Sequence, residues 1–171
     1  MPNVKSKISS HNKNILNREK NENINIEQKK TKTCNCRNPM DCPTNGECLV
    51  ESVVYDAIVN DDKGGVNNYI GLTEGTFKDR YTAHKSSFNL PHKATSTTLS
   101  GHIWNLKNIN TSYTISWRII CSAASYNPIS RRCILCLKEK QAILYRGSSL
   151  NNRSEIASSC RHKKKYSLQK A

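Results

Sequence analysis

From Val50 onward the chain alternates between apolar runs and turn residues in a readable order. Val50 to Val59 (VESVVYDAIV) is β-branched and aromatic, the composition of a strand. NDDKGG follows as a turn, and Asn68 to Leu72 (NYIGL) predicts a second strand that closes an antiparallel hairpin. TEGTFKDRYTAHKSSF predicts a helix from Thr73, with Thr73 as N-cap, an early Glu, and Phe77, Tyr81 and His84 spaced four and three apart. Residues 89–97 read as a loop. A second helix carries Leu99, Ile103 and Leu106 on one stripe with Ser96 as its cap. YTISWRIIC alternates Ile115, Trp117 and Ile119, which predicts a third strand. After the turn NPISRR, CILCLKEKQAILY predicts a mostly apolar third helix, and the polar stretch behind it holds at most a short one. The order β-β-α-α-β-α predicts a small α+β domain over residues 50–160, a three-stranded antiparallel sheet flanked by helices.

Composition narrows the classes. Apolar residues make up only 36% of the chain, so the core is that of a domain of roughly 100 residues. No apolar run approaches the ~18 residues of a membrane span, and no apolar stretch follows the first lysines. The expectation is a soluble intracellular or nuclear protein, neither secreted nor in a membrane. The net charge of +14 sits at the ends. Residues 1–33 hold eight Lys/Arg against three Glu, and residues 153–171 hold six against one. The first stretch, poor in apolar residues, reads as a largely disordered or partly helical basic linker, and 161–171 as a basic tail. Such ends attract DNA or RNA of any sequence by releasing counterions; they are also what plain solvated tails look like.

Eight cysteines without a signal peptide favour metal ligation or free thiols over disulfides, although the even count leaves a disulfide framework open. Residues 34–49 are a Cys-rich segment in which Cys34, Cys36, Cys42 and Cys48 follow C-x-C-x5-C-x5-C within a Pro/Gly loop. Four thiolates at that spacing can close a tetrahedral Zn²⁺ site and order a segment with no core of its own. Cys133-x2-Cys136 with Cys160-x-His162 offers a second zinc set tying the tail to the third helix; simple burial is the alternative for Cys133 and Cys136. Cys121, ending a strand, reads as core.

YIGLTEGTFKDRYTAH, preceded by VVYDAIV, resembles the signature of the GIY-YIG endonucleases, with a Glu in LKEKQAILY and an Asn in SLNNRSE continuing the pattern. Together with CNCRNPMDCP…GECL and NRSEIASSCRHKKKY, it looks like the endonuclease region of Penelope-like and related retroelement polyproteins, and the resemblance covers nearly the whole chain. It departs in reading Val53-Val54-Tyr55 without the first glycine, and in placing Tyr69 fourteen positions after Tyr55. The resemblance implies hydrolysis of a DNA phosphodiester. Tyr55 would orient or deprotonate the attacking water, and Tyr69 would bind the scissile phosphate or share that role. Arg80 would offer a planar fork to two phosphate oxygens, and His84, at i+4, would relay a proton or bind phosphate. Glu139 would hold one Mg²⁺ (or Mn²⁺), and Asn151 would position metal or phosphate. Gly71 would let backbone approach substrate closely. Taken singly, Tyr55 and Tyr69 also suit ordinary strand positions, Arg80 and His84 a solvated helix face, and Glu139 an exposed face between Lys138 and Lys140.

Two functions compete. One is a divalent-metal-dependent endonuclease that nicks DNA for retroelement integration, with element RNA as a further partner. The other is a non-catalytic, zinc-stabilised nucleic-acid-binding module.

Overall fold

The computed structural model describes residues 33–163; nearly all of the predicted basic linker, and the basic tail from 164, lie outside the described residues. The fold is α+β. Strands β1 (Glu51–Asp61), β2 (Val66–Thr76) and β3 (Tyr113–Ser122) form one antiparallel sheet in the order β2-β1-β3. Helices α1 (Phe77–Asn89) and α2 (Thr98–Asn108) separate β2 from β3, and α3 (Ile134–Arg146) and the short α4 (Arg153–Ala157) follow. Between β3 and α3 the chain adds a two-residue hairpin, β4 (Tyr126–Asn127) with β5 (Arg132–Cys133).

β1 is central, and its mostly apolar run, interrupted by Asp56, has the usual cause: both of its faces are covered. Val53, Tyr55, Ala57 and Val59 pack with Phe77 and Phe88 of α1, with Leu99, Ile103 and Leu106 of α2, and against Trp117 of β3. Val54 faces the other way and joins Ile70 with Leu135, Ala142 and Ile143 of α3, against Ile156 of α4. The sheet therefore lies between two helical layers. Asp56, on that second face, is buried and paired to Arg118 of β3 at 2.7 Å, with its second carboxylate oxygen buried and unpartnered.

Helix ends differ from the sequence reading in small ways with clear causes. β2 continues past Thr73 because its residues still pair with β1, Val53 opposite Thr73 and Glu51 opposite Thr76. The cap of α1 is Thr76, whose hydroxyl accepts from the Asp79 backbone at 3.1 Å. Thr97, not Ser96, caps α2 by accepting from Ser100 N. α3 begins on Cys133, whose sulfur accepts from Cys136 N, and ends at Gly147 in the left-handed region at φ 62°.

Two segments fix the ends of these elements. The Cys-rich stretch caps α1: the Phe77 and Lys78 amides donate to Val50 O and Cys48 O, and Lys78 Nζ donates to Asn35 Oδ1. On the far side, residues 148–151 lie along the outer edge of β2. The Asn68 carbonyl accepts from Leu150 N at 3.1 Å and from the Ser148 hydroxyl, while Asn68 N donates to Ser149 Oγ. The Asn151 amide grips Ile70 on both sides, accepting from Ile70 N and donating to Ile70 O, each at 2.8 Å.

Candidate active site and metal centres

Tyr55 opposes Gly71 across the β1–β2 ladder, and its ring lies over that glycine. Phe77, His84 and Trp117 surround it edge-on or tilted, with ring centroids 5.3–6.0 Å away. The Tyr55 hydroxyl meets two groups from α1. Arg80 Nε donates to it at 2.9 Å, so its own proton is directed to His84 Nε2 at 2.7 Å. His84 accepts that hydrogen bond as a neutral ring, because burial, helped by the Arg80 charge, holds its pKa down to about 3. Arg80 and His84 are one helical turn apart, which is why both reach the same oxygen. The Tyr55 hydroxyl is enclosed, and burial, against the pull of Arg80, pushes its pKa up.

Tyr69 and Arg80 line a pocket at the β2 edge, where α1 from one face of the sheet meets α3 and α4 from the other. Glu139 of α3 and Glu155 of α4 face into it, with Arg161 on its rim. Burial, followed by the neighbouring Glu155 charge, raises Glu139 to about pKa 7. Burial also raises Tyr69 well above the phenol range, opposed by Arg80.

The fold thus brings Tyr55, Tyr69, Arg80 and His84 together in one hydrogen-bonded and ring-packed group, with Glu139 across the pocket. Asn151 sits beside them in a different capacity. Its amide is occupied by the backbone of Ile70 and by Glu155 Oε2, at 3.0 Å from Nδ2, so it holds the strand that carries Tyr69. The space above Gly71 is filled by the Tyr55 ring, so this glycine admits a side chain rather than a substrate. Sequence reasoning passed over Glu155 and Arg161. Glu155 had a signal, since Asn152-x-x-Glu155 is a capping box in which Asn152 N donates to Glu155 Oε2 at 2.8 Å.

The cysteines gather in two clusters, each able to hold a metal ion such as zinc, and among the described residues all eight thiols are free of disulfides. In the first, Cys48 Sγ lies 3.6 Å from Cys34 Sγ and 3.7 Å from Cys36 Sγ, with Cys42 completing the set. In the second, His162 Nδ1 lies 3.3 Å from the sulfurs of both Cys133 and Cys136, and Cys136 and Cys160 are 3.5 Å apart. Thiolates ~2.3 Å from a tetrahedral zinc stand about 3.7 Å from one another, so both donor sets fit that ion. Outer contacts support them as well: Gly46 N donates to Cys42 Sγ at 3.1 Å, and Glu74 stands 3.8 Å behind the other nitrogen of His162. Cys121, partly buried, belongs to neither cluster.

No helix among the described residues is long and apolar enough to cross a membrane. Compared with known protein families, characterised proteins and solved structures, the chain matches none.

Proposed function

We propose that this chain is a divalent-metal-dependent DNA endonuclease of the GIY-YIG kind, nicking one strand by phosphodiester hydrolysis. The observation that carries the reading is the Tyr55 hydroxyl held between Arg80 Nε and His84 Nε2 beside a pocket that also presents Tyr69 and Glu139. Two tyrosines, an arginine, a histidine and a carboxylate from four separate stretches of sequence converge there, and each belongs to the motif that the chain resembles.

The roles follow from exposure. Tyr69 is the tyrosine that reaches the pocket, so it contacts the attacking water. Tyr55 is the anchor: its hydroxyl fixes Arg80 Nε, and the rest of the guanidinium, which interacts with Tyr69, would turn to the phosphate. Neutral His84 accepts the hydrogen bond of the Tyr55 hydroxyl and so keeps that anchor in its orientation. Glu139, with Glu155 beside it, would hold Mg²⁺; two crowded carboxylates, one already elevated in pKa, suit a cation. When bound, Mg²⁺ supplies positive charge to the phosphate oxygens and to the departing 3′ oxygen. Asn151 keeps β2, and with it Tyr69, in place. Zinc in the two cysteine clusters would stay structural. The setting implied by the resemblance is target-site cleavage in the nucleus for a retroelement.

A plasmid-nicking assay in Mg²⁺ tests this. Tyr69→Phe, Arg80→Ala and Glu139→Gln should each lower the rate about a hundredfold or more. Nicking that is indifferent to all three rejects the site. DNA binding without nicking by the wild type selects the binding-module reading instead, which the two cysteine clusters would serve equally well.

A further inference from the structure

Arg161 is the middle residue of Cys160-Arg161-His162, and both neighbours point a donor atom into the second cysteine cluster. The same three residues form one wall of the pocket that holds Tyr69, Arg80 and Glu139. The cluster and the pocket also share α3: Cys136 precedes Glu139 by less than one turn, so both project to the same side.

Three cations border this pocket, and two of them are engaged. Lys140 donates through Nζ to the Ser158 carbonyl, and Arg80 donates through Nε to Tyr55. Among the described residues, the Arg161 guanidinium makes no hydrogen bond and no ion pair shorter than 4 Å, though its side chain is exposed and its charge reaches Glu139. A surface arginine in a basic tail would ordinarily be a mobile charge. This one is tethered on both sides, because the backbone of 160–162 cannot shift without breaking the cluster. With its backbone anchored at the pocket wall and its whole fork available, this guanidinium can meet a pair of phosphate oxygens.

We propose that Arg161 is a second phosphate-binding residue of the site, set in place by metal bound at Cys133, Cys136, Cys160 and His162. This rests on the nuclease reading for the identity of the phosphate, a DNA backbone phosphate next to the one Arg80 binds. The metal in the cluster then has a positioning role: it carries no chemistry, and losing it weakens substrate binding by freeing one cation.

Equilibrium binding of the full chain to a short DNA duplex, measured against salt concentration without added Mg²⁺, tests the proposal independently of catalysis. Arg161→Ala should weaken binding about threefold to tenfold and lower the slope of log affinity against log salt by about 0.9, the loss of one phosphate contact. Arg146→Ala removes the same charge from the far end of α3 and should leave affinity and slope near those of the wild type. Cys133→Ser, with zinc release followed by thiol modification, should reproduce the Arg161→Ala loss and add nothing to it in the double variant. Wild-type affinity and slope in Arg161→Ala overturn the proposal, as does an equal loss in Arg146→Ala. Additive losses in the double variant overturn the positioning role of the metal. Since Cys133→Ser can unfold the chain, the arginine variants decide alone if its thermal transition disappears. The two readings can fail separately. Wild type that binds but never nicks defeats the nuclease reading while the Arg161 contact can still be read. Wild type that nicks, with Arg161→Ala binding unchanged, defeats this inference alone.

Discussion

A β-carbon placed on Gly71 would stand 2.5 Å from the Tyr55 hydroxyl and 2.7 Å from its ring carbon Cζ. The two residues are partners across the β1–β2 ladder, and the absence of a side chain at one defines the position of the other. Gly71→Ala should therefore displace the Tyr55 ring and, with it, Arg80. We expect a stability loss of about 1–3 kcal/mol from overpacking, and a drop in nicking of about a hundredfold from misplaced groups. Denaturant melts and plasmid nicking would measure both; an alanine variant with wild-type stability would contradict the packing described.

His84 supplies a pH signature. Its folded pKa, about 3, lies below its ordinary 6.5 because it is buried beside Arg80. A depressed pKa in a base means that the unfolded chain takes up the proton first, so this contribution is fully present above pH 6.5 and is lost as pH falls towards 3. His84→Gln cannot titrate. The stability gap between wild type and His84→Gln should narrow steadily over that interval, and a gap constant with pH would show that His84 is not held neutral.

Asn151 can be separated from a metal ligand by the sign of one substitution. If its task is to grip Ile70, Asn151→Asp is worse than Asn151→Ala, because a carboxylate oxygen then faces the Ile70 carbonyl and Glu155. We expect the aspartate variant to lose about 1–3 kcal/mol of stability from those unsatisfied and repelling groups, and to bind Mg²⁺ no better than wild type. Tighter Mg²⁺ binding by the aspartate variant would place Asn151 at the metal instead.

Asp56 is buried on the α3 face of β1, and Arg118 is its ion-pair partner among the described residues. Arg118→Ala should cost about 1–3 kcal/mol, towards the lower end because the guanidinium is 56% exposed and partly screened. Replacing both partners, Asp56→Val with Arg118→Met, should recover most of that loss, since an apolar pair leaves no buried charge. Thermal melts of the single and double variants would decide; a double variant as unstable as Arg118→Ala alone contradicts the account.

The sheet and the main helices were legible because their signals are local. The β-branched run at Val50–Val59, the alternation of Ile115, Trp117 and Ile119, and the stripe of Leu99, Ile103 and Leu106 each dictate an element without reference to the rest of the chain. The start of α1 was misplaced because Thr73 and Thr76 are both sound caps, and only pairing with Glu51 twenty-five positions earlier decides between them. The β4–β5 hairpin was missed because two-residue strands show no period. Within the site, side-chain chemistry could be read, but occupancy could not. Nothing near Asn151 in sequence announces that Ile70, 81 residues away, uses its amide. Cys160-x-His162 could be read as a metal pair, but nothing in the sequence placed the Arg161 between them at the pocket of Tyr69 and Glu139.

The grip of Asn151 on Ile70 reaches beyond the pocket. An unpaired strand edge is a template for adding another chain, and here the exposed N–H and C=O groups of Asn68 and Ile70 are already taken by residues 148–151. Among the described residues β3 pairs with β1 alone, so the opposite border of the sheet is where a second copy could extend it. Dimers or fibrils built by strand addition should therefore grow from β3, away from the pocket, and leave it open even in an associated state.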